Sequence, residues 1–425
     1  MNDGQNDDNS MTDPVRAQYE RYPYPPRDPG DEATRLVVGS PSHILEIDHF
    51  LFGGSRDFSK PFRALFAGGG TGDATIMLAQ QLADINADAE IIYLDISEAS
   101  RDVARARAKA RGLTNIQFVT GSLNDLPALG LGEFDYIDCC GVLHHLEDPL
   151  AGLKTLGGAL LPHGGMGVML YAPLGRTGVY HVQAMVRMMS ENASDDVKLD
   201  IARRTLNSLP PTNWLKRNPF VGDHTGLGDA GIYDLLLHSR DRAYSIMEIA
   251  ELVAQAELKL VTFLDPLRYE PGIYIQDEEL GPRIRAMSGL QRCAFAELLC
   301  GNMKTHRFYA VRSDNDQPTV AMLGSPDAVP ILRELDGAAM AKEMATNRTM
   351  TVELDGIKAG FNLPQMAPAI FMLIDGKRSL KEIHEKIVAA APDNIAPDWD
   401  AFMQQFQQIF MTVNGLGRMY LRCPA

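Results

Sequence analysis

Residues 63–95 read RALFAGGGTGDATIMLAQQLADINADAEIIYLD and decide the fold of this chain. A short apolar run leads into four glycines within five residues, an amphipathic segment follows, and a second apolar run ends at Asp95. This order predicts a strand, a tight glycine loop, a helix and a second strand, which open a nucleotide-binding α/β sheet. Asp95 then lies at the carboxyl end of the second strand. There its carboxylate can accept hydrogen bonds from a ribose diol, and each such bond to a charged group contributes about 1.5–3 kcal/mol.

The spacing of the glycines discriminates between classes of nucleotide. Dinucleotide-binding loops read G-x-G-x-x-G and place a pyrophosphate at the helix N-terminus. This chain has Gly68, Gly70 and Gly72, and Asp73 stands where the third glycine of the dinucleotide pattern would fall. Because a carboxylate there repels a pyrophosphate, a nicotinamide dehydrogenase is disfavoured. The loop suits an adenosine that carries a cationic or zwitterionic arm, as S-adenosylmethionine does.

Two further motifs follow in order, GSLNDLP at 121–127 and FDYIDCCGVLHHLEDP at 134–149. Together with the glycine loop and Asp95, this order resembles the motifs of class I S-adenosylmethionine-dependent methyltransferases, over residues 60–315. The resemblance implies S-adenosylmethionine as the cofactor. The binding residues that it implies are Gly68, Gly70, Thr71, Gly72, Asp95, Ile96, Ser122, Leu123, Gly141 and Val142. One position departs from the family: Phe66 replaces the acid that most members carry two residues before the first glycine, so the methionine amino group needs another contact.

Strands and helices alternate up to residue 173, which predicts a parallel, doubly wound sheet of Rossmann-like methyltransferase type. Two more strands are predicted, at 258–264 and 306–312. The gaps before them exceed ordinary loop lengths, so we expect folded helical insertions at about 176–257 and 265–305, after strands five and six. The methyltransferase domain is therefore placed at 61–315. In the family that the motifs resemble, insertions after strand five commonly form the acceptor pocket.

The N-terminal region divides into two parts. Residues 1–13 are polar and acidic and are predicted to be disordered. Residues 14–60 begin with a short helix that carries Tyr19, followed by two Tyr-Pro pairs and a stiff proline-rich run. This strap either packs its tyrosines on the core or forms a lid over the cofactor. In the second interpretation Tyr19 belongs to the cofactor site, with Tyr22 and Tyr24 beside it.

Residues 318–425 are predicted to form a separate small α+β domain. Its β-like runs are TVAML, TMTVEL and IKAGFNL, and a later helix begins with a capping box formed by Ser379 and Glu382. This region loosely resembles PqqD-like winged-helix modules, which hold peptides and accompany some bacterial protein lysine methyltransferases. A dimerisation or packing module is the alternative interpretation.

The candidate catalytic residues lie after strand four, at the end of strand five and in the first insertion. Alignment alone lowers the barrier of methyl transfer by about 7–11 kcal/mol, and a base is needed only when the acceptor arrives protonated. His144 and His145 are candidate bases, with a role in shaping the loop as the alternative, and Tyr171 is a further candidate. Asp234 and His238 are predicted one helical turn apart, as an Asp-oriented base, a pair of metal ligands or a solvated pair. No metal site is predicted, because no other cluster completes one.

Composition limits the class of partner. The chain has 425 residues, a net charge of −15 and no basic block, which disfavours nucleic acid. No apolar run reaches the roughly 20 residues that span a bilayer, so no membrane partner is expected. The five cysteines show no metal-ligand spacing, and the N-terminus lacks a secretory signal pattern, which predicts a cytoplasmic protein. The sequence leaves a homodimer open.

Three functions are compatible with the sequence. The first is a methyltransferase that acts on a small-molecule acceptor, which the large insertions favour because they can enclose a pocket. The second is a methyltransferase for a protein or peptide side chain of the lysine type, which the C-terminal region favours. The third is a non-catalytic scaffold that holds cofactor or peptide. An intact glycine loop and Asp95 favour an enzyme.

Overall fold

The structure is a computed structural model that describes residues 14–392 and 396–423. The segment predicted to be disordered, residues 1–13, lies outside this part of the chain. The described strands are β1 (Phe62–Ala67), β2 (Ala89–Asp95), β3 (Ile116–Thr120), β4 (Phe134–Cys140), β5 (Leu160–Tyr171), β6 (Leu258–Phe263), β7 (Thr305–Arg312), β8 (Val329–Leu332), β9 (Thr349–Leu354), β10 (Ile357–Asn362) and β11 (Met419–Arg422). The described helices are α1 (Pro14–Arg21), α2 (Ile44–Leu51), α3 (Asp73–Asp84), α4 (Glu98–Ala110), α5 (Pro149–Gly158), α6 (Val179–Met189), α7 (Asp195–Ser208), α8 (Trp214–Arg217), α9 (Asp223–Gly226), α10 (Gly228–Ile232), α11 (Ile246–Gln255), α12 (Leu280–Arg285), α13 (Gly289–Cys300), α14 (Gly337–Thr346), α15 (Ala367–Leu373), α16 (Leu380–Ala390) and α17 (Trp399–Gly415).

The centre of the described chain is a seven-stranded sheet in the order β3-β2-β1-β4-β5-β7-β6. Strands β1 to β5 run parallel to one another, as the sequence predicts. The last strand differs, because β7 runs antiparallel to both β5 and β6. Helices precede β7 as they precede the parallel strands, so the order of elements along the chain carried no signal for its reversed direction. The Rossmann-like fold is confirmed, with a mixed sheet.

Each face of the sheet is buried under its own apolar core. Leu65 and Ala67 of β1 belong to one core, whereas Ala64 and Phe66 belong to the other. This division follows from the strand period of two, which sends neighbouring side chains to opposite faces. Because helices cover both faces, β1 is apolar at nearly every position. The carboxyl ends of the parallel strands therefore form the polar edge at which a ligand can bind.

The segments between the last strands are helical, as predicted. Helices α6 to α11 lie between β5 and β6, and α12 and α13 lie between β6 and β7. The first of these insertions has an apolar core of its own, which includes Val182, Leu199 and Leu235. The predicted capping box at Ser245 and Glu248 is present at the start of α11. None of the helices in the described part of the chain is long and apolar enough to cross a membrane.

The C-terminal region builds a separate core from α14 to α17. The predicted strands TMTVEL and IKAGFNL form the antiparallel hairpin of β9 and β10, and the capping box of Ser379 and Glu382 is present. The prediction of a β-like run at 319–323 is wrong, because this segment forms no strand. Its backbone groups bond to the end of α2 instead: Ala321 N donates to His49 O, and Gly53 N donates to Thr319 O. The likeness to a winged-helix module stays a prediction.

A buried ion pair joins the C-terminal region to α2. The Arg333 guanidinium donates to Glu46 Oε1 at 2.7 Å, and the two side chains are only 7% and 1% exposed. Tyr420 and Ser40 also donate to this carboxylate. Tyr420 packs in the core of the sheet domain, so removal of residues 318–425 would open that core and expose Glu46. The C-terminal region thus completes the packing around α2.

We expect Arg333→Met to lower the free energy of unfolding by about 3–5 kcal/mol, because it leaves the Glu46 carboxylate buried without its cation. The double variant Glu46→Gln/Arg333→Met should recover most of that loss, since the amide can still bond Ser40 and Tyr420. Thermal and urea unfolding followed by circular dichroism measure both. The control is Arg204→Met, which removes an exposed ion pair with Asp200 and should cost at most about 1 kcal/mol. Equal effects of Arg333→Met and Arg204→Met would contradict the prediction.

Candidate active site

The glycine loop between β1 and α3 is closely packed by two other segments of the chain. Gly68, Gly70 and Gly72 have φ angles of +83°, +53° and +97°, which side chains rarely adopt. A Cβ atom on Gly68 would lie 2.3 Å from a methyl group of Val142, and one on Gly70 would lie 3.0 Å from the carbonyl oxygen of Tyr24. The loop therefore depends on glycine for its conformation and for the close approach of its neighbours.

Asp95 holds this loop from the end of β2. Its Oδ2 accepts from Gly70 N at 2.7 Å, and its Oδ1 accepts from Ser97 N at 2.8 Å. Burial raises the pKa of Asp95 to about 6, against the hydrogen bonds that favour its charged form. Each carboxylate oxygen has more than one lone pair, so Asp95 can still accept from a ribose diol.

A cavity of about 730 Å³ opens at the carboxyl ends of β1, β2, β4 and β5. Its volume lies within the roughly 300–1,000 Å³ of sites that bury a small ligand. All the predicted cofactor-binding residues line this one cavity: Tyr19, Gly68, Gly70, Thr71, Gly72, Asp95, Ile96, Ser122, Leu123, Gly141 and Val142. The glycine cradle admits a ligand against the backbone, and Asp95 offers an acceptor for a diol. These residues fit S-adenosylmethionine.

The N-terminal strap lies over the glycine loop. Thr71 Oγ1 donates to Pro25 O at 2.7 Å, and Arg27 forms an ion pair with Asp73. The carboxylate of Glu20 accepts from two backbone N–H groups at the start of α4. Tyr19 and Tyr24 line the cavity, as the lid interpretation predicts, whereas Tyr22 turns away and stacks on Tyr233 at 5.0 Å.

The charge of Asp73 is less repulsive than the sequence indicated. Arg27 and the buried Arg107 both pair with this carboxylate, and these contacts hold its pKa below the usual range despite burial. The argument against a pyrophosphate from charge alone is weakened, because two cations stand beside the acid. The missing third glycine at this position still argues against a dinucleotide-binding loop.

The two neighbouring histidines have different surroundings. His145 lines the cavity, whereas His144 points into the protein and its ring stacks on Tyr171 at 3.9 Å. Both ring nitrogens of His144 are buried and lack a hydrogen-bond partner among the described residues, and burial lowers its pKa well below the usual value. A neutral ring without polar contacts is a packing element. The geometry therefore favours His145 over His144 for chemistry.

A single residue, Arg240, fixes the protons of two imidazoles through its backbone. His145 Nδ1 donates to Arg240 O at 2.6 Å, so the lone pair of His145 lies on Nε2. Arg240 N donates to His238 Nδ1 at 3.1 Å, so the proton of the neutral His238 ring lies on Nε2. The two rings are stacked with their centroids 3.7 Å apart. Burial lowers their pKa values to about 4 for His145 and about 2 for His238, so both are neutral at physiological pH.

Asp234 lines the cavity and is the centre of a hydrogen-bond relay. His238 Nε2 donates to the Tyr19 hydroxyl at 3.3 Å, and Tyr19 donates to Asp234 Oδ1 at 3.2 Å. The Tyr171 hydroxyl donates to Asp234 Oδ2 at 3.4 Å. Burial raises the pKa of Asp234 to about 7, although Arg176 and the bond from Tyr19 oppose that shift. At neutral pH, Asp234 is thus poised to gain or lose a proton.

Asp234 and His238 do not lie on one turn of α-helix, contrary to the prediction from the sequence. The segment from Tyr233 to Leu237 is a π-helix that ends before His238, yet both side chains reach Tyr19. Potential ligand atoms of His145, Asp234 and His238 lie within 4.8 Å of one another, which is close enough for a metal ion. The proton on His238 Nε2 opposes that use, because a metal-bound nitrogen must present its lone pair. The cluster is better arranged to move a proton.

Sequence reasoning missed two polar residues that line the cavity, Asp138 and Arg240. The motif FDYIDCC contains Asp138, so an acid on β4 was visible, but its pairing with β1 was not. Arg240 acts on the histidines through its backbone, for which the sequence holds no signal. Asp234 was singled out with His238, but its contact with Tyr19 spans 215 positions of the chain and could not be foreseen.

Comparisons with known proteins agree with this geometry. The family described as Methyltransferase domain matches residues 65–166. The uncharacterized protein syc1184_c of Synechococcus sp. is 31% identical over 72% of this chain and 75% of its own length. The ubiquinone biosynthesis O-methyltransferase of Vibrio campbellii is 22% identical over 48% of this chain and 78% of its own length. PKMT2 from Rickettsia typhi, solved in complex with AdoHcy, is 14% identical and superposes with a TM-score of 0.59 over 90% of this chain and 75% of that one.

The fold and the site define an S-adenosylmethionine-dependent enzyme. The chain belongs to the class I methyltransferases, in one family with syc1184_c of Synechococcus sp.. The cofactor predicted from the glycine loop and Asp95 is thereby confirmed, and so is the enzyme class.

We expect Asp95→Ala to weaken the binding of S-adenosylhomocysteine by tenfold or more. The variant loses a charged acceptor worth about 1.5–3 kcal/mol, and it also releases Gly70 N from its partner. Isothermal titration calorimetry measures the change, and Asp84→Ala at the far end of α3 is the control. An unchanged affinity would mean that another residue holds the ribose.

His144→Phe should keep the stacking on Tyr171 and remove two buried, unpaired nitrogens. We expect its free energy of unfolding to stay level or rise by about 1–3 kcal/mol, with near wild-type turnover. His145→Phe should reduce turnover, because it removes a ring that lines the cavity and bonds Arg240. Unfolding curves and methyl-transfer rates of the pair test this assignment. It is wrong if His144→Phe is the less active variant.

Proposed function

We propose that this methyltransferase acts on a small organic acceptor whose nucleophile carries a proton, such as an amine or a phenol, and that Asp234 accepts this proton. The single observation that carries the proposal is the position of Asp234 in the cavity, between the hydroxyls of Tyr19 and Tyr171. When bound, S-adenosylmethionine supplies a methyl group that is already activated. The residues of this chain therefore have to align the acceptor and receive its proton.

The enclosure of the cavity supports a small acceptor. The strap covers one side, and the insertion between β5 and β6 supplies Asp234 and Arg240 on another. The rings of Tyr19, Tyr24 and Tyr171 offer flat apolar surface, which suits an aromatic or aliphatic molecule. Such a lining also excludes water, so charges inside the cavity interact more strongly than at the surface.

Asp234 is a better proton acceptor than the histidines around it. Its pKa is raised to about 7, whereas the pKa of His145 is lowered to about 4 by burial. A base is most efficient when its pKa lies near the working pH. The two tyrosines keep their protons, since burial raises both of their pKa values well above 10, so they orient the carboxylate. The positive charge of Arg176, stacked over Tyr171 at 3.7 Å, limits how far the pKa of Asp234 rises.

A protein side chain is the second candidate acceptor. The fold of PKMT2 from Rickettsia typhi extends over 90% of this chain, which includes most of the C-terminal region. A peptide held by that region and a lysine side chain threaded beneath the strap would meet the same carboxylate. A non-catalytic scaffold is disfavoured, because the glycine cradle, Asp95 and the proton relay are all intact.

Labelled S-adenosylmethionine and the full-length chain separate the two acceptor classes. We expect methyl transfer to a panel of small phenols and amines, with no labelling of a denatured or native protein extract. Labelling of protein alone would move the assignment to a side-chain methyltransferase. Absence of transfer to either class, despite tight binding of S-adenosylhomocysteine, would favour a scaffold.

Asp234→Asn should lower the turnover number by about 10²–10⁴-fold, because the amide cannot take a proton. In the wild type, activity should fall as the pH drops through about 7, where Asp234 becomes protonated. The variant should lack this pH dependence. Its melting temperature at pH 8 should not decrease, since folding no longer has to bury a charge that the native state disfavours.

The matched control is Asp229→Asn, an exposed carboxylate in the same insertion that pairs with Arg203. It should leave both the turnover number and the pH profile unchanged. If Asp234→Asn keeps full activity with the wild-type pH profile, Asp234 is not the base.

A further inference from the structure

The methionine end of the cofactor site lacks its usual acid. Phe66 stands near the end of β1, where most class I methyltransferases carry a carboxylate, and its side chain is buried. The ammonium group of the cofactor therefore needs a negative partner elsewhere, because an unpaired charge is costly to bury.

Asp138 lies beside the position of that missing acid. The parallel register pairs Phe66 of β1 with Asp138 of β4. Paired residues on neighbouring strands lie about 4.8 Å apart, and their side chains point to the same face of the sheet. Phe66 and Asp138 both line the cavity, as do Gly68 at the start of the glycine loop and Met169 on β5. This chain therefore has a carboxylate on β4, one strand away from the usual position on β1 and at the same level of the sheet.

The surroundings of Asp138 leave its charge without a cation. The side chain is 4% exposed, and it accepts from Ser42 Oγ at 2.5 Å and from the Cys140 thiol at 3.3 Å. Both of these donors are neutral, and none of the described residues forms an ion pair with it. Burial raises the pKa of Asp138 to about 6, so the carboxylate is charged at neutral pH. Buried acids are normally paired with a cation, so the charge of Asp138 is available to a cationic group of a ligand.

We propose that Asp138 binds the ammonium group of the methionine half of S-adenosylmethionine, in place of the acid that β1 lacks. Ser42 reaches the site from the segment before α2 and orients the carboxylate. The assignment rests on the identity of the cofactor and is independent of the acceptor proposed above.

Two ligands separate this role from a structural one. S-adenosylhomocysteine carries the amino-acid end, whereas 5′-methylthioadenosine keeps the adenosine and the sulfur but lacks that end. Asp138→Asn should weaken the first ligand by at least tenfold and change the second by less than twofold in calorimetric titrations. Asp95→Ala should weaken both, and Asp84→Asn on the surface of α3 should weaken neither.

The wild-type protein provides a test that does not depend on the folding of a variant. The titratable groups that interact with Asp138 are Tyr136, Cys139 and Cys140 on its own strand, and burial raises the pKa of each, so they stay neutral near pH 6. Protonation of Asp95 should change both affinities alike, because both ligands carry the ribose that Asp95 is expected to bind. The ratio of the affinities for S-adenosylhomocysteine and 5′-methylthioadenosine should therefore be constant above pH 7 and fall below about pH 6.

An equal loss for both ligands in Asp138→Asn, or a ratio that stays flat from pH 5 to pH 8, would overturn the proposal. Failure of S-adenosylhomocysteine to bind the wild type at all would contradict the cofactor itself, which is a different outcome.

Discussion

The close packing of the glycine loop is the constraint on which the rest of the site depends. The loop backbone meets the strap at Tyr24, the segment after β4 at Val142 and the carboxylate of Asp95 at the end of β2. Glycine allows the approaches of Tyr24 and Val142, because a Cβ atom on Gly70 or Gly68 would crowd these two neighbours. The three segments come from distant parts of the chain. Their meeting point fixes the walls of one cavity.

The cavity is suited to a positively charged ligand. Asp95, Asp138 and Asp234 line it, and burial raises the pKa of each carboxyl group, to about 6, 6 and 7. These three groups make the folded state less stable as the pH rises from about 4 to about 7, since burial disfavours their charged forms. That cost is understandable if the carboxylates meet a diol, an ammonium group and an acceptor proton during the reaction.

The parts of the fold that the sequence predicted are those with local signals. The glycine loop, the strands up to β5, the helical insertions and two capping boxes depend on residues that are neighbours in the chain. The segment 319–323 has β-forming residues, but it bonds to α2, so its partners rather than its propensity decide its conformation. The direction of β7 is likewise a property of the pairing and not of the strand.

The candidate site divides in the same way. The position of Asp95 in the cavity could be predicted, because the sequence places this acid at the end of an apolar strand. The role of Asp138 depends on the register between β1 and β4, and the protons of His145 and His238 depend on the backbone of Arg240. None of these contacts is encoded by a local pattern.

A crystal structure of the full-length chain with S-adenosylhomocysteine is the sharpest test of how the three carboxylates share the cavity. We predict adenosine beside Asp95, the amino group on Asp138, and the sulfur turned towards the space in front of Asp234. A ligand bound outside this cavity would contradict that arrangement. So would one with its amino group on a residue other than Asp138 and its sulfur turned away from Asp234.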